Sequence, residues 1–414
     1  MEKFRLPLCS VKLYKKRQEM KTALQKNLNW FEKSGVMIPE SGIWGVAERV
    51  AVAKNNEAIE KMYSSFVAWT PCGDYSIIEQ RRADCNFQAA YLYLLAYEMF
   101  GDRKYYSIAV NLLDFLYYRS GLLWRNADQY PQASWNWSHI KRSSDVYFDD
   151  ESWCVFLQLE IAQRYPELDQ KYSMKHWAML LADQLCAASI RVMHSEREKD
   201  DWVDLEKKEW LGRLQLPHWG SLTVMALARA WKEEQKQEYL DFISEYDAYL
   251  NEKPTQFNVS EYAYAVIGNC AAYSYTGDEK YLASARIFGD LVVGKMRENG
   301  NIPAEHYEAP CGEHLVDTIY TANWALLGLQ LLSPVDEKYA AAYEKLQALI
   351  VKIQDPSTEP QFSGCWRGMY DMEQQSWGGG DRFEGGAGSI YTGWTNAPIS
   401  WALAMNILKR NLFS

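Results

Sequence analysis

The sequence predicts an all-α protein, an (α/α)6 barrel in which a ring of inner helices is wrapped by a ring of outer ones. Three observations lead there. Apolar residues recur at helical rather than strand spacing almost throughout, one form of helix opening recurs along the chain, and helices apolar on all sides alternate with amphipathic ones. With 414 residues, 48% of them hydrophobic and 24% charged, the chain can bury a large core. No Pro/Gly/Ser-rich linker and no shift in charge divides it, so residues 1–414 are read as a single toroid domain.

The recurring opening is an acidic or polar residue, one or two charged ones and a Tyr: Asp102-Arg103-Lys104-Tyr105, Asp169-Gln170-Lys171-Tyr172, Gln237-Glu238-Tyr239, Asp278-Glu279-Lys280-Tyr281 and Asp336-Glu337-Lys338-Tyr339. An Asp there accepts orphan backbone N–H groups, its charge suits the positive end of the helix dipole, and a preceding Gly such as Gly101 or Gly277 ends the helix before it. The helix after each opening is amphipathic, as in Tyr281, Ala285, Phe288, Val292 and Met296, and belongs on the outside. Segments such as Phe148 to Ile161 and Leu315 to Leu332 are apolar nearly all round and belong inside. The expected pairs are 14–33 with 44–69, 79–100 with 102–120, 145–165 with 169–192, 218–234 with 236–250, 259–276 with 278–297 and 313–332 with 335–354, closed by a helix at 391–410.

Composition excludes several functions. A net charge of -10 repels phosphate backbones and anionic lipid, so no nucleic acid is expected as a partner, and no apolar run approaches the length of a membrane span. The apolar run Leu6 to Val11 is short and broken by Pro7 and Ser10, so the chain reads as cytoplasmic, or as periplasmic with its leader removed. Eight scattered cysteines lack Cys-x-x-Cys pairs or a nearby His, and no metal or cofactor is expected. Cys85, Cys154, Cys186 and Cys270 fit as small buried hydrophobes. The oligomeric state is not written in the sequence.

Long connections lead into the inner helices at 121–144, 193–217, 298–312 and 355–390, and loops of this length usually carry function. They hold Trp124, Trp137, Trp377, His139, His306 and Glu305, with Tyr391 and Trp394 just beyond. Aromatic faces beside polar groups suit sugar rings, which have an apolar C–H face and a hydroxyl rim. The same rings also serve to cap a large barrel core. Arg81, Arg82 and Asp84 stand at the head of another inner helix. Glu305, in Ile302-Pro303-Ala304-Glu305-His306, lies in a loop where no local helix explains it as a cap.

The sharpest motif is Tyr147-Phe148-Asp149-Asp150-Glu151-Ser152-Trp153 at the start of a buried helix. Burying adjacent carboxylates is costly unless something compensates them. At a helix N-terminus the dipole favours one ionised group, while like-charge crowding raises the other, a split that separates a base or nucleophile from an acid. Plain N-capping by Asp145 or Asp149 is the competing reading. Phe-Asp-Asp-x-x-Trp resembles the catalytic Asp-Asp motif of the endo-α-1,6-mannanases, (α/α)6 glycosidases, and Tyr264 to Gly289 resembles the hairpin repeat of the wider six-hairpin superfamily. The resemblance implies Asp149 and Asp150 as the catalytic pair.

The segment from Trp377 to Thr395, with six glycines between Gly378 and Gly388 and the charges of Asp381, Arg382 and Glu384, has no counterpart in that motif. Its glycines permit close backbone approach to a ligand, yet the Walker spacing is absent. Arg382 is placed to clamp a carboxylate, which brings in uronic-acid sugars and a looser resemblance to the unsaturated glucuronyl hydrolases. An internal Asp381–Arg382–Glu384 knot that orders the loop is the alternative. The expected function is glycoside hydrolysis on a carbohydrate substrate, with Asp149 and Asp150 as acid and base and Glu305, Asp381 or Glu384 as partners. Substrate contacts are expected from Trp124, Trp137, His139, Arg81, Asp84, His306, Trp377, Arg382, Tyr391 and Trp394. A polysaccharide lyase or sugar epimerase on the same fold, and a non-catalytic carbohydrate-binding protein, are the alternatives.

Overall fold

The computed structural model describes residues 8–52, 69–72, 75–139, 146–195, 202–204, 206–305, 312–378 and 386–414. Its helices are α1 (Leu8–Lys33), α2 (Ala83–Phe100), α3 (Arg103–Asp114), α4 (Phe148–Arg164), α5 (Pro166–Tyr172), α6 (Met174–Met193), α7 (Pro217–Glu233), α8 (Gln237–Glu252), α9 (Val259–Thr276), α10 (Glu279–Lys295), α11 (Ala322–Leu332), α12 (Glu337–Ile353) and α13 (Ala397–Leu408). Helix α2 packs on α4, α4 on α7, α7 on α9, α9 on α11, α11 on α13, and α13 back on α2, which closes an inner ring. The outer helices α3, α6, α8, α10 and α12 pack on α2, α4, α7, α9 and α11 in turn, and α1 packs on α13. The fold is the (α/α)6 barrel that the alternation of apolar and amphipathic helices predicts.

The repeated opening is explained by two sets of bonds. Asp102, Asp278 and Asp336 cap their helices, each accepting the N–H of the Lys two residues on, at 2.9, 3.0 and 2.9 Å. Asp169 instead lies within the short α5 and reaches forward to the N–H of Lys175 in α6 at 2.8 Å. The Lys and Tyr then interlock neighbouring outer helices. Lys171 and the Tyr172 hydroxyl meet Asp114 of α3, Lys236 and Tyr239 meet Asp183 of α6, and Lys338 and Tyr339 meet Asp290 of α10, all at 2.5–2.7 Å. Lys104 reaches Glu32 of α1 at 2.5 Å in the same way, which brings α1 into the outer ring.

The pairing expected for the first hairpin is corrected. The partner of α1 is the last inner helix, α13, and the segment expected as a helix at 44–69 holds a strand, Arg49–Ala51, with 53–68 outside the described residues. Gly42 and Gly45 have φ of 74° and 75°, in the left-handed region that a right-handed helix does not use. A Cβ at Gly45 would sit 2.5 Å from the Phe115 ring and 2.7 Å from the Asn86 Oδ1 that holds the Val46 N–H, so the turn is packed against α2.

Short strands decorate the segments that lead into the inner helices: β1 (Arg49–Ala51), β2 (Trp69–Cys72), β3 (Tyr75–Ile78), β4 (Trp202–Asp204), β5 (Glu209–Leu211), β6 (Leu315–Asp317), β7 (Met369–Asp371), β8 (Ser376–Trp377) and β9 (Ser389–Tyr391). They form antiparallel sheets in the orders β2-β3-β1-β9, β4-β5 and β6-β7-β8. Pairing of β1 with β9, Val50 opposite Ile390, ties the segment before α2 to the segment before α13.

Aromatic rings fill the axis. Trp153 of α4 stacks on Trp324 of α11, helices on opposite sides of the ring, with centroids 5.5 Å apart. Trp401 of α13 lies 5.6 Å from Trp153, and Tyr91 of α2 lies 5.4 Å from Trp401. Trp153, Trp324 and Trp401 are fully buried. Such contacts contribute about 0.5–1.5 kcal/mol each beyond the area they bury, and here they plug the ring.

Candidate active site

The N-termini of the inner helices gather at one end of the ring. Arg82, just before α2, reaches Asp150 of α4; the Glu261 carboxylate of α9 binds His218 of α7; and Asn323 of α11 donates to the Trp394 carbonyl before α13. The C-termini gather at the other end, where the Arg229 guanidinium of α7, fully buried, bonds Glu160 of α4 at 2.6 Å and Tyr275 of α9 reaches the same carboxylate at 3.1 Å.

At the first end Arg82 is the hub of a charge cluster. Its Nη2 donates to Asp150 Oδ1 at 2.5 Å and to Asp84 Oδ2 at 3.2 Å, its Nε to Asp84 Oδ1 at 3.1 Å, and its Nη1 to Glu48 Oε1 at 3.2 Å. Arg49 takes the other Glu48 oxygen at 2.9 Å and lies 4.0 Å over the Tyr391 ring. Trp394 donates from Nε1 to Asp84 at 2.8 Å. The Arg82 guanidinium lies 5.6 and 5.9 Å from the rings of Trp137 and Trp394. Four carboxyl groups, Glu48, Asp84, Asp149 and Asp150, thus share two guanidiniums, Arg49 and Arg82.

Within this cluster Asp149 and Asp150 differ. Asp150 is held by Arg82, whereas Asp149 is 8% exposed and its Oδ1 has no hydrogen-bond partner. Burial pushes the Asp149 carboxyl above the ordinary range, and the charges of His218 and Arg82 pull it back only in part. Burial pushes Asp150 up as well, against the pull of the guanidinium bonded to it. Geometry sets them apart: the 2.5 Å bond from Arg82 favours the charged form of Asp150, and Asp149 has no such bond. The next residue, Glu151, turns inward; its Oε1 accepts the Trp135 N–H at 2.9 Å and fixes the hairpin that carries Trp137.

A second element faces Asp149 from the neighbouring helix. Glu261 accepts the backbone N–H of His218 at 2.8 Å and lies 2.9 Å from its Nδ1, so the imidazole carries its hydrogen on Nδ1. The His218 ring packs 3.9 Å from Trp219.

The other expected residues are spread around this end. Glu305 does have a capping role: its Oε2 accepts the Val259 N–H of α9 at 3.1 Å, and its Oε1 pairs with Lys295 at 3.2 Å. Arg81 is bound to Glu79 at 2.6 Å. His139 accepts the Arg81 N–H at 3.1 Å, and burial, with Arg81 nearby, lowers its pKa to about 4, so it is uncharged at neutral pH. Trp377 packs edge-on against Tyr370 at 5.1 Å, in the β6-β7-β8 sheet. Trp124 lies on the hairpin whose backbone bonds to Ala133 and Ser134. His306, Asp381, Arg382 and Glu384 lie outside the described residues. Glu48, Arg49 and Glu261 were not singled out from sequence; for Glu261 the available signal was that α2, α4 and α9 each carry an acid in the first turn. Among the described residues no group of three or more His, Cys, Asp and Glu is placed to hold a metal ion, and no helix is long and apolar enough to cross a membrane.

The ring of inner helices, with charged and aromatic groups at its N-terminal mouth, defines the class: a six-hairpin (α/α)6 barrel. Among solved structures the chain is similar to the cellobiose 2-epimerase of Spirochaeta thermophila DSM 6192 (TM-score 0.65, 11% identity, covering 98% of this chain and 99% of that one). It is also similar to an unsaturated glucuronyl hydrolase specific for heparin (0.57, 14%, 95% and 99%) and to the GH76A α-1,6-mannanase of Salegentibacter sp. HEL1_6 (0.53, 12%, 95% and 99%). At such identities the likeness is one of fold, and it matches the fold that the Asp-Asp motif and the hairpin repeat suggest. No protein-family model matches the chain, and no curated protein matches it in sequence.

Proposed function

We propose that the protein is a carbohydrate-acting enzyme that hydrolyses a glycosidic bond at the N-terminal mouth of the ring. The observation that carries this reading is the split carboxyl pair: Asp150 engaged by Arg82, and Asp149 beside it, nine-tenths buried with an oxygen that nothing binds. Asp149 then donates its proton to the glycosidic oxygen as the bond to the anomeric carbon breaks. The carboxylates around Arg82 stabilise the positive charge that develops on the sugar, and Asp150 accepts the proton of the attacking water. Trp137 and Trp394 supply the aromatic faces against which a sugar ring packs. The neighbours' functions as named, epimerase, glucuronyl hydrolase and mannanase, agree with a carbohydrate substrate.

A second reading, sugar epimerisation, is favoured by one observation, the imidazole of His218 oriented by Glu261 on the helix next to Asp149. An oriented imidazole is suited to abstract a proton beside a sugar carbonyl. Incubation with a panel of aryl glycosides and oligosaccharides, and in parallel with free reducing sugars in deuterated water, separates the two. Hydrolysis predicts release of the aglycone with turnover reduced about 10²–10⁴-fold by Asp149→Asn. Deuterium uptake at the carbon next to the sugar carbonyl, abolished by His218→Asn and indifferent to Asp149→Asn, would replace the hydrolytic reading with the second.

A further inference from the structure

Resting on the reading of the mouth as a carbohydrate site, we propose that it discriminates by charge, taking neutral glycosides and cationic sugar analogues and refusing the matching uronates. Among the described residues the cations around Arg82 are each bonded to carboxylates, which outnumber them. All three nitrogens of the Arg82 guanidinium are bonded to carboxylates, Arg49 is bonded to Glu48, and Arg81 is bonded to Glu79. His139, next to Arg81, is uncharged near neutral pH because burial holds its pKa at about 4. On the acidic side, Glu48, Asp84 and Asp150 face two guanidiniums even when Asp149 keeps its proton. A uronate carboxylate arriving here meets carboxylates that outnumber the guanidiniums, and the pairs of Arg49 and Arg82 that it would disturb are largely buried, so the loss is not made good by water.

An independent feature points to what is accepted. Asp149 Oδ1 is an oxygen without a partner in a side chain nine-tenths buried, placed among these groups. It suits a sugar hydroxyl or the ammonium of a ring-nitrogen sugar, both hydrogen-bond donors, and a carboxylate offers it none. The aromatic rings of Trp137 and Trp394, within 6 Å of the Arg82 guanidinium, add apolar faces that are indifferent to charge. Selection therefore lies with the carboxylates.

The test is calorimetric binding of three matched probes, a neutral methyl hexoside, its uronate and its protonated iminosugar, each in gluco, manno and galacto configuration. In the configuration that binds, the uronate is expected to be weaker than the neutral sugar by at least about tenfold at low salt, with the iminosugar the tightest. The gap should narrow as added salt shortens the reach of the charges, and it should narrow in Asp150→Asn, which removes one of the charges. A uronate that binds as tightly as its neutral counterpart overturns the charge rule. If that occurs while glycoside turnover still depends on Asp149, the hydrolytic reading survives without the rule. Failure of every probe to bind overturns both.

Discussion

On the proposed function, Asp149 couples catalysis to stability through a single proton. Burial raises its pKa in the folded protein above the unfolded value of about 3.9, so the folded state holds the proton more tightly. Stability is then lost as pH rises from the unfolded value toward the folded one. Asp149→Asn removes that ionisation. Its melting temperature is expected to exceed the wild type's near neutral pH, the difference vanishing toward about pH 3–4, in thermal melts recorded across pH. On the proposed hydrolytic reading, glycoside turnover is expected to collapse in the same variant, and wild-type kcat/KM to fall on the alkaline side as Asp149 loses its proton. A variant that is both more stable and inactive marks a residue kept for chemistry. Arg82 behaves oppositely, because it holds three carboxylates with only 11% of its side chain exposed. Arg82→Met is expected to cost about 3–5 kcal/mol in urea unfolding at neutral pH, and less at acid pH where the abandoned carboxyls are protonated.

At the scale of elements, what could be read from sequence was what is local. Asp102, Asp278 and Asp336 cap within a turn, and the Lys and Tyr stand at a fixed spacing after them, so the spacing displays both the cap and the repeat. Asp278→Ala is expected to cost about 1 kcal/mol through loss of the bond to the Lys280 N–H, measured by denaturant unfolding. The cap of α9 was hidden because Glu305 reaches Val259 from 46 residues further along the chain. The strands were hidden because none among the described residues exceeds four residues, too few to show alternation. Glu48 and Arg49 were hidden behind an apolar segment that looked helical, where Gly42 and Gly45 impose turns. Close packing of inner helices was likewise unreadable. A Cβ on Gly268 of α9 would lie 2.5 Å from the Ser221 carbonyl oxygen of α7, so Gly268→Ala has to separate two helices of the ring. A loss of about 1–3 kcal/mol is expected in the same unfolding assay.

At the scale of the whole molecule, ring closure depends on partners at opposite ends of the chain, which no local pattern records. Asn27 of α1 donates to Asn396 at 2.8 Å and to the Gly364 carbonyl at 3.0 Å, and accepts from Ser400 of α13 at 2.9 Å, with Asn27, Asn396 and Ser400 all buried. Asn27→Leu abandons these groups and is expected to lower stability by about 1–3 kcal/mol, seen as an earlier unfolding midpoint. The Asp-Asp motif was legible because its acids are adjacent in sequence; the groups that give them different characters, Arg82, Glu48 and His218, come from other helices. Trp153, one turn beyond Asp150 and stacked on Trp324 across the ring, makes the mouth a cul-de-sac. A polymer cannot be drawn lengthwise through the molecule, so arrival and departure share a single doorway. On the function proposed above, spent sugar has to back out before another unit is admitted, and free product competes with substrate for the same threshold.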